Sequence, residues 1–592
     1  MALVHQIRKI CAATIAELYG ISVKESEVSI NETKPEFEGD YTLVLFSFVK
    51  SLKKSPEQLG NEIGQALLEK NNELFSSFQI IKGFLNLSVR DNFWIQSLES
   101  NYGVADFGSK SSLGRRIMVE YSSPNTNKPL HLGHLRNNFL GWSIAEIYKA
   151  TGFTTFKTCI SNDRGIHICK SMVAWQLFAN GATPASTGIK GDHFVGDYYV
   201  RFGNEHKQQV AALIEKGLTK EEAEKQAPIM QAAQQMLVDW EAGKPDVVSL
   251  WKEMNSWVYS GFDVTYKRIG SDFDKTYFES DTYLLGKKAV EDGLAKGVFY
   301  KKEDGSVWID LTAEGLDEKV VQRRDGTAVY ITQDIGLVEQ KQAEFDCEQS
   351  IYVVGDEQNY HFKVLKLICE KLGIPGAAGI YHLSYGMVEL PTGRMKTREG
   401  TVVDADDIVD EMVKVARAKT EELGKVKDFT PDELDTLHEM IGLGALKFFI
   451  LRVDPKKRMI FNPEESIDFH GFTGPFVQYT HARIRSMLRK SPIDKNAPTG
   501  GSELFKLERE LIRKLEQYPV ILDQAALEHN PSLLAIYAFE VAKQFNTFYT
   551  EHSVLNADSE EKKQLRLKIC VLTAEVIKNS MGLLGIGVPE RM

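Results

Sequence analysis

"VEYSSPNTNKPLHLGHLRNNFLG", Val119–Gly141, decides how the rest of the chain is read. It passes from a short apolar segment, through a polar stretch rich in Ser, Pro and Asn, into a helical pattern that opens with His131, Leu132, Gly133 and His134. Pro129 suits the first turn of a helix, where its missing N–H costs nothing, so the helix is expected to begin near it. A helix start offers free N–H groups and the positive end of the dipole, a setting that favours phosphate. His131 and His134 are three apart and share one face of that turn. Gly133 leaves space for a flat ring against the backbone. Two uses of the histidines stay open: capping the helix, or donating to phosphoryl oxygens beside Lys128. The strand–loop–helix setting favours the second, and alone it supports a nucleotide-binding α/β enzyme.

Outward from this motif, "RIMVEY" and "TTFKTCI" read as strands on either side of the helix "HLGHLRNNFLGWSIAEIYKATG". Leu132, Leu135, Phe139, Trp142 and Ala145 fall on one helix face, and Gly152 marks the end. Strand–helix–strand alternation implies a parallel sheet. A helical insertion is expected at about residues 184–260, with Thr219 and Glu222 as a capping box. The strand rhythm then resumes with "GSVWIDL", "TAVYITQD" and "SIYVVGDEQ". From Thr430, Pro431 and Glu433 onward the pattern is helical. The Gly- and Ser-rich "NYGVADFGSKSSLGRR" marks a boundary near residue 108. The expected fold is an α/β multidomain chain. A small α+β N-terminal domain (1–108) precedes a Rossmann-like parallel-sheet catalytic domain (109–405) that carries the helical insertion. A helical connector (406–470) and a C-terminal all-α bundle (471–592) follow.

At 592 residues the chain is too long for one core. A net charge of −11 argues against indiscriminate nucleic-acid binding and leaves room for local basic patches. The sequence holds no run of the roughly 18 apolar residues that a membrane span requires, so no membrane contact is expected. The N-terminal stretch places Val4, Ile7, Cys11, Ile15 and Leu18 at helical spacing, broken by Arg8 and Lys9. It reads as an amphipathic helix rather than a secretory signal. Six scattered cysteines (11, 159, 169, 347, 369 and 570) lack the spacing of a zinc site and suit free thiols in the cytoplasm.

"HLGH" resembles the His-Ile-Gly-His signature of class I aminoacyl-tRNA synthetases. "EYSSPNTNKPLHLGHLRNN" is similar to the form found in arginyl-tRNA synthetases. "GRMKTREGTVV" resembles the second class I loop, Lys-Met-Ser-Lys-Ser, with Thr397 where the second lysine stands. The resemblance implies that Lys128, just before the signature, substitutes for that lysine. It implies catalytic roles for His131, His134, Lys128 and Lys396. ATP would be bound by His131, Gly133, His134, Gly355, Asp356, Met395, Lys396 and Arg398. ATP would enter as a substrate with Mg2+, and no tightly bound metal or organic cofactor is expected.

A guanidinium is a planar fork of donors, which carboxylates answer with parallel hydrogen bonds. Tyr330 and Asp334 are four apart, on one face of either a strand or a helix. By resemblance, Tyr330, Asp334 and Gln358 hold the guanidinium of arginine, while Glu120, Ser122 and Asn125 hold its α-amino end. "GFTGPFVQYTHARIRSMLRK" carries four bases and no acid, and "LKFFILRVDPKKRM" adds Lys447, Arg452, Lys456, Lys457 and Arg458. Bases interleaved with aromatics suit phosphate contact and base stacking. "GPFVQYTHARI", "FNTFYTEHSVL" and the terminal "GVPERM" resemble the DALR anticodon-binding bundle. They imply tRNA contacts by Gln478, Tyr479, Arg483, Arg485, Phe548 and Met592. The N-terminal domain resembles one that touches the tRNA elbow. The implied partners are tRNA(Arg), arginine and ATP, with the enzyme a monomer. Two rivals from other classes are a small-molecule nucleotidyltransferase and a non-catalytic tRNA-binding relative.

Overall fold

The computed structural model describes residues 3–34, 36–389, 404–423, 428–491, 493–494 and 503–592. At the N-terminus, β1 (Ile30–Glu32), β2 (Tyr41–Val44), β3 (Phe75–Ile81) and β4 (Phe84–Val89) form an antiparallel sheet in the order β1-β2-β4-β3. The helix Leu3–Tyr19 buries Leu3, Ile7, Cys11 and Ile15, while Leu18 stays exposed. The helix Pro56–Lys70 is capped by Ser55, which accepts from the Gln58 N–H.

The centre of the molecule is a five-stranded parallel sheet. Its strands are β5 (Arg116–Glu120), β6 (Thr154–Ser161), β7 (Lys275–Phe278), and later β11 (Gln349–Gly355) and β12 (Ile380–Tyr385). Their order is β12-β11-β5-β6-β7. The chain therefore builds outward from β5 through β6 to β7, then returns to lay β11 and β12 on the other side of β5. The order reverses between β5 and β11, and in open α/β sheets ligands bind outside the strand C-termini at such a point. Glu120 and Gly355 end those two strands.

Of the three strand expectations after the insertion, one enters this sheet, as β11. "GSVWIDL" supplies β9 (Val307–Ile309), which joins β8 (Tyr300–Lys301) and β10 (Lys319–Gln322) in a separate antiparallel sheet. "TAVYITQD" is not a strand, because Tyr330 begins the helix Tyr330–Phe345. Ile331, Ile335 and Val338 are buried at helical spacing, and that longer period overrides the short β-branched run. The insertion is helical throughout and runs further than expected, ending with the helix Pro245–Ile269. Its Thr219–Glu222 capping box is present.

Beyond residue 404 the described chain is mostly helical. The C-terminal helices are Ala405–Leu423, Pro431–Leu451, Gly474–Lys490, Lys506–Glu516, Tyr518–Leu527, Ser532–Glu551 and Glu560–Leu583. Two short strands, β13 (Val388–Glu389) and β14 (Met459–Ile460), pair in parallel and tie the chain after the helix Pro431–Leu451 back to the segment that follows β12. One continuous apolar core extends from Leu3 through β5 and the signature helix to Phe545, Phe548 and Ile586. The bundle is thus seated on the catalytic domain by buried surface. Among the described residues no helix is long and apolar enough to cross a membrane.

Candidate active site

After β5 the chain turns at Ser122, whose φ is +62°. The Ser122 N–H donates to Asn137 Oδ1 at 2.6 Å, and its hydroxyl lies 2.7 Å from the Tyr266 hydroxyl and accepts from Asn138 Nδ2 at 3.2 Å. This corrects the expectation that the Ser122 side chain meets arginine. It is fully buried and engaged in holding the turn.

The signature helix spans Leu132–Ala150, so Pro129 lies before it rather than in its first turn, and His131 is the N-cap. His131 Nδ1 accepts from the Gly133 N–H at 3.1 Å, and His134 Nδ1 accepts from the His131 N–H at 3.1 Å. The rings sit 3.9 Å apart. Capping and catalysis are therefore compatible. A ring nitrogen that accepts carries no proton, so each neutral imidazole bears its proton on Nε2 and keeps that donor for a ligand. Burial, then the nearby Lys128 charge, pushes His131 down to about 4. Burial, then His131 and Lys128, holds His134 well below its ordinary range. Both rings are neutral donors at pH 7. Gly133 serves this seat directly, since a Cβ there would lie 3.0 Å from His131 Cε1.

Behind the histidines, the Ala405 N–H donates to the Leu130 carbonyl at 3.0 Å and Asp404 bridges His131. His193 Nε2, from the insertion, lies 3.0 Å from Asp404 and 3.4 Å from Asp406. Lys190 reaches Asp406 at 2.7 Å and Asp192 at 3.0 Å. Hydrogen bonds to Asp404 and Asp406 raise His193 to about 10, so it is an imidazolium that offsets both carboxylates. The second-loop candidates Arg394, Met395, Lys396, Thr397 and Arg398 lie outside the described residues.

The opposite side of the same sheet edge is acidic. Glu120 is buried and paired with the buried Lys341 of the helix Tyr330–Phe345. Asp334, on the same helix, accepts from His361 Nε2 at 2.6 Å. Tyr330 opens that helix and is 76% exposed, and Gln358 follows β11, also exposed. Asn125 is exposed, with its backbone bridged to Asn162. Gly355 and Asp356 form the turn after β11, and Asp356 lies 3.6 Å from Arg458.

Sequence reading missed three residues here. Asp163, after β6, is buried and accepts from the Tyr259 hydroxyl at 2.9 Å and from the Ser280 N–H and hydroxyl at 2.9 and 2.7 Å. Glu279, after β7, is raised by burial and by Asp163 and Asp334, while Arg164 works against the rise. Lys341 is the third. The polar "SNDRG" after the second strand was the available signal for Asp163; nothing local pointed to the other two. Asp163, Glu279 and Asp334 come from three elements, and the first and last act electrostatically on Glu279, a concentration of negative charge suited to a cation; the imidazoles of the signature helix are neutral donors suited to a phosphate.

At the bundle, two expected RNA contacts are corrected. Gln478 is fully buried, donating to the carbonyls of Gly587 at 2.8 Å and Met440 at 3.2 Å. Phe548 is fully buried in the bundle core. Lys447 also turns inward and donates to the Gly585 carbonyl at 2.7 Å. Tyr479, Arg483, Arg489, Lys490, Tyr549 and Met592 line a cavity of about 250 Å³. The Arg483 guanidinium lies 4.8 Å from the Tyr479 ring centre. Arg485 sits beside it, paired with Glu590 at 2.6 Å.

Residues 103–462 match the family model described as tRNA synthetases class I (R), catalytic domain. Residues 477–592 match the DALR anticodon binding domain, and residues 5–89 the arginyl tRNA synthetase N terminal domain. The arginine–tRNA ligase of Bacteroides thetaiotaomicron is 52% identical, covering 97% of both chains. That of Amoebophilus asiaticus is 51% identical over 99% of both. Thermus thermophilus arginyl-tRNA synthetase superposes with a TM-score of 0.83 at 25% identity, with both chains fully covered. The Plasmodium falciparum arginyl-tRNA synthetase gives 0.78 at 17% identity, covering 100% of this chain and 99% of its own.

Proposed function

The chain belongs to the arginyl-tRNA synthetases, class I enzymes that use ATP to join arginine to its tRNA through an arginyl-adenylate, and from that premise we propose how its own residues do so. The observation that carries the proposal is the pair of Nδ1 caps. They fix both imidazoles as Nε2–H donors at the start of a helix, on the switch-point edge of the sheet.

In the first step a carboxylate oxygen of arginine attacks the α-phosphorus of ATP, and the bond to pyrophosphate breaks. Both reactants are anions, so positioning and charge neutralisation supply most of the catalysis. His131 and His134 donate to phosphoryl oxygens without carrying charge, while Lys128 adds a cation beside them. Gly133 keeps the His131 ring in place, and Gly355 and Asp356 meet the ribose. Met395, Lys396 and Arg398 enter by resemblance from the second loop. The triphosphate arrives as its magnesium complex, with the ion as part of the substrate.

The guanidinium pairs with the free oxygen of Asp334, flanked by Tyr330 and Gln358. Asp163 and Glu279 deepen the negative field. The α-amino group lies toward Glu120 and Asn125. In the second step the 2′-hydroxyl of the terminal tRNA ribose attacks the activated carbonyl, and AMP leaves.

At the far end, the cavity walled by Tyr479, Arg483 and Met592, with Arg485 alongside, takes an unpaired base and its phosphate. We divide the chain at residues 108, 405 and 470, with the DALR bundle from 471. We take the enzyme as a cytosolic monomer; its six cysteines are free and buried, as expected in a reducing compartment.

Arginylation by His131→Asn tests the assignment. Loss of one such donor lowers the rate by roughly 10²–10³. A variant that charges tRNA at the parent rate would remove the histidine from the mechanism.

A further inference from the structure

The signature helix is gripped by the C-terminal bundle at more than one place. Near its far end the Tyr148 hydroxyl lies 3.0 Å from His529 Nε2, and the His529 ring stacks on Tyr381 at 4.1 Å. Midway along, the Ser143 hydroxyl donates to the Leu583 carbonyl at 2.8 Å. Two residues past His134 stands Arg136, which is 0% exposed.

Arg136 has no carboxylate partner among the described residues. Its Nη2 lies 2.8 Å from the carbonyl of Lys457, 3.1 Å from that of Pro455 and 3.4 Å from that of Asp454. Two hydrogens serve three acceptors. Its Nε and Nη1 are buried without a protein acceptor. A guanidinium held this way loses more solvation than such bonds return, and an apolar chain of similar volume would fill the space with less loss. Its use therefore lies in what it joins.

What it joins is a tight turn. The Lys457 N–H donates to the Asp454 carbonyl at 3.0 Å, and the Lys456 N–H to Asp454 Oδ1 at 2.9 Å. The Pro455 carbonyl also accepts from the Gly386 N–H at 2.9 Å, just before β13. On the bundle side, Asp454 Oδ2 accepts from Asn530 Nδ2 at 3.4 Å. Asn530 Oδ1 in turn accepts from the Ser532 N–H and hydroxyl at 3.1 and 2.7 Å, where the bundle helix Ser532–Glu551 begins.

We propose that Arg136 is a positioning residue which transmits the seating of the C-terminal bundle, through Asn530 and the turn 454–457, to the signature histidines. The inference rests on the reading of His131 and His134 as phosphate donors. The link touches no substrate, so it acts on the rate of the chemical step and not on substrate affinity. Arginine suits the joint because its planar fork spans several carbonyls, whereas a lysine offers a point charge.

The test is a set of exchanges scored by tRNA charging in the full-length enzyme. Asn530→Asp keeps the acceptor for Ser532 and turns the donor facing Asp454 into a like charge. We expect kcat to fall roughly tenfold, the worth of one such hydrogen bond, with KM for tRNA, arginine and ATP unchanged within about twofold. Adding Asp454→Asn restores a donor to the contact and returns kcat to near the parent value. Arg136→Lys lowers kcat by a similar factor, and combining it with Asn530→Asp lowers kcat no further. An unchanged kcat in Asn530→Asp, losses that multiply, or a loss seen in KM alone overturns the proposal. Should Arg136→Lys fail to fold, the Asn530 and Asp454 exchange decides, rescue supporting the link and no rescue overturning it. His131→Asn, measured alongside, separates the two readings: full activity there sinks the phosphate assignment, while the exchange cycle alone sinks the link.

Discussion

Replacing Asp334 with Asn isolates the recognition of arginine from that of ATP. The carboxylate gives one oxygen to His361 Nε2 at 2.6 Å. Among the described residues no side chain donates to the other oxygen, so that atom is the one left for a guanidinium. The loss is therefore one charge-assisted hydrogen bond rather than a bidentate pair, about 1.5–3 kcal/mol. At about 1.4 kcal/mol per factor of ten, KM for arginine should rise roughly 10- to 150-fold. The side chain is small, neutral and isosteric, so the His361 contact can persist through the amide oxygen. ATP meets the other side of the site, and its KM should stay within about twofold. The assay is steady-state charging of tRNA, varying arginine at saturating ATP and then the reverse. Equal losses for both substrates, or an unchanged arginine KM, would refute the placement of the guanidinium on Asp334.

Lys341→Met should destabilise the protein by about 3–5 kcal/mol, because it strands Glu120 as a buried charge with no partner; thermal or denaturant melting reads this, and an unchanged midpoint counts against it. Acid should affect His131 in a set direction. Its folded value is near 4 while the unfolded chain titrates at the ordinary 6.5, so between those values the unfolded state binds the extra proton and stability falls as pH drops. The parent should therefore lose more melting temperature between pH 7 and pH 5 than His131→Asn does, and equal losses would show that the ring is not held neutral. For the same reason, protonation of His131 should contribute no fall in kcat near pH 6.5, and a limb at that pH abolished in His131→Asn would contradict its role as a neutral donor.

The parts of the fold legible in the sequence were those set by local chemistry. The strand before residue 121, the helix after it and the strand "TTFKTCI" follow from periodicity. The caps at Thr219 and Thr430 follow from residue type and spacing. "TAVYITQD" misled because its β-branched run is short, while the helical period that buries Ile331, Ile335 and Val338 shows only over a longer window. Gln478 and Phe548 misled for a different reason. They belong to segments that mark the bundle, and what makes such residues part of the pattern is their place inside it. Asp163, Glu279 and Lys341 come from three separate elements, and only the order of the sheet brings them to one edge. Arg136 was invisible for a related reason, since its acceptors lie more than 300 residues away.

The most direct measurement is a crystal structure of the enzyme with arginine and a non-hydrolysable ATP analogue. The account predicts phosphoryl oxygens within hydrogen-bond reach of Nε2 of both His131 and His134, and the guanidinium on the free oxygen of Asp334. A triphosphate bound away from the two rings, or a guanidinium that meets neither Asp334 nor its neighbouring carboxylates, would contradict it.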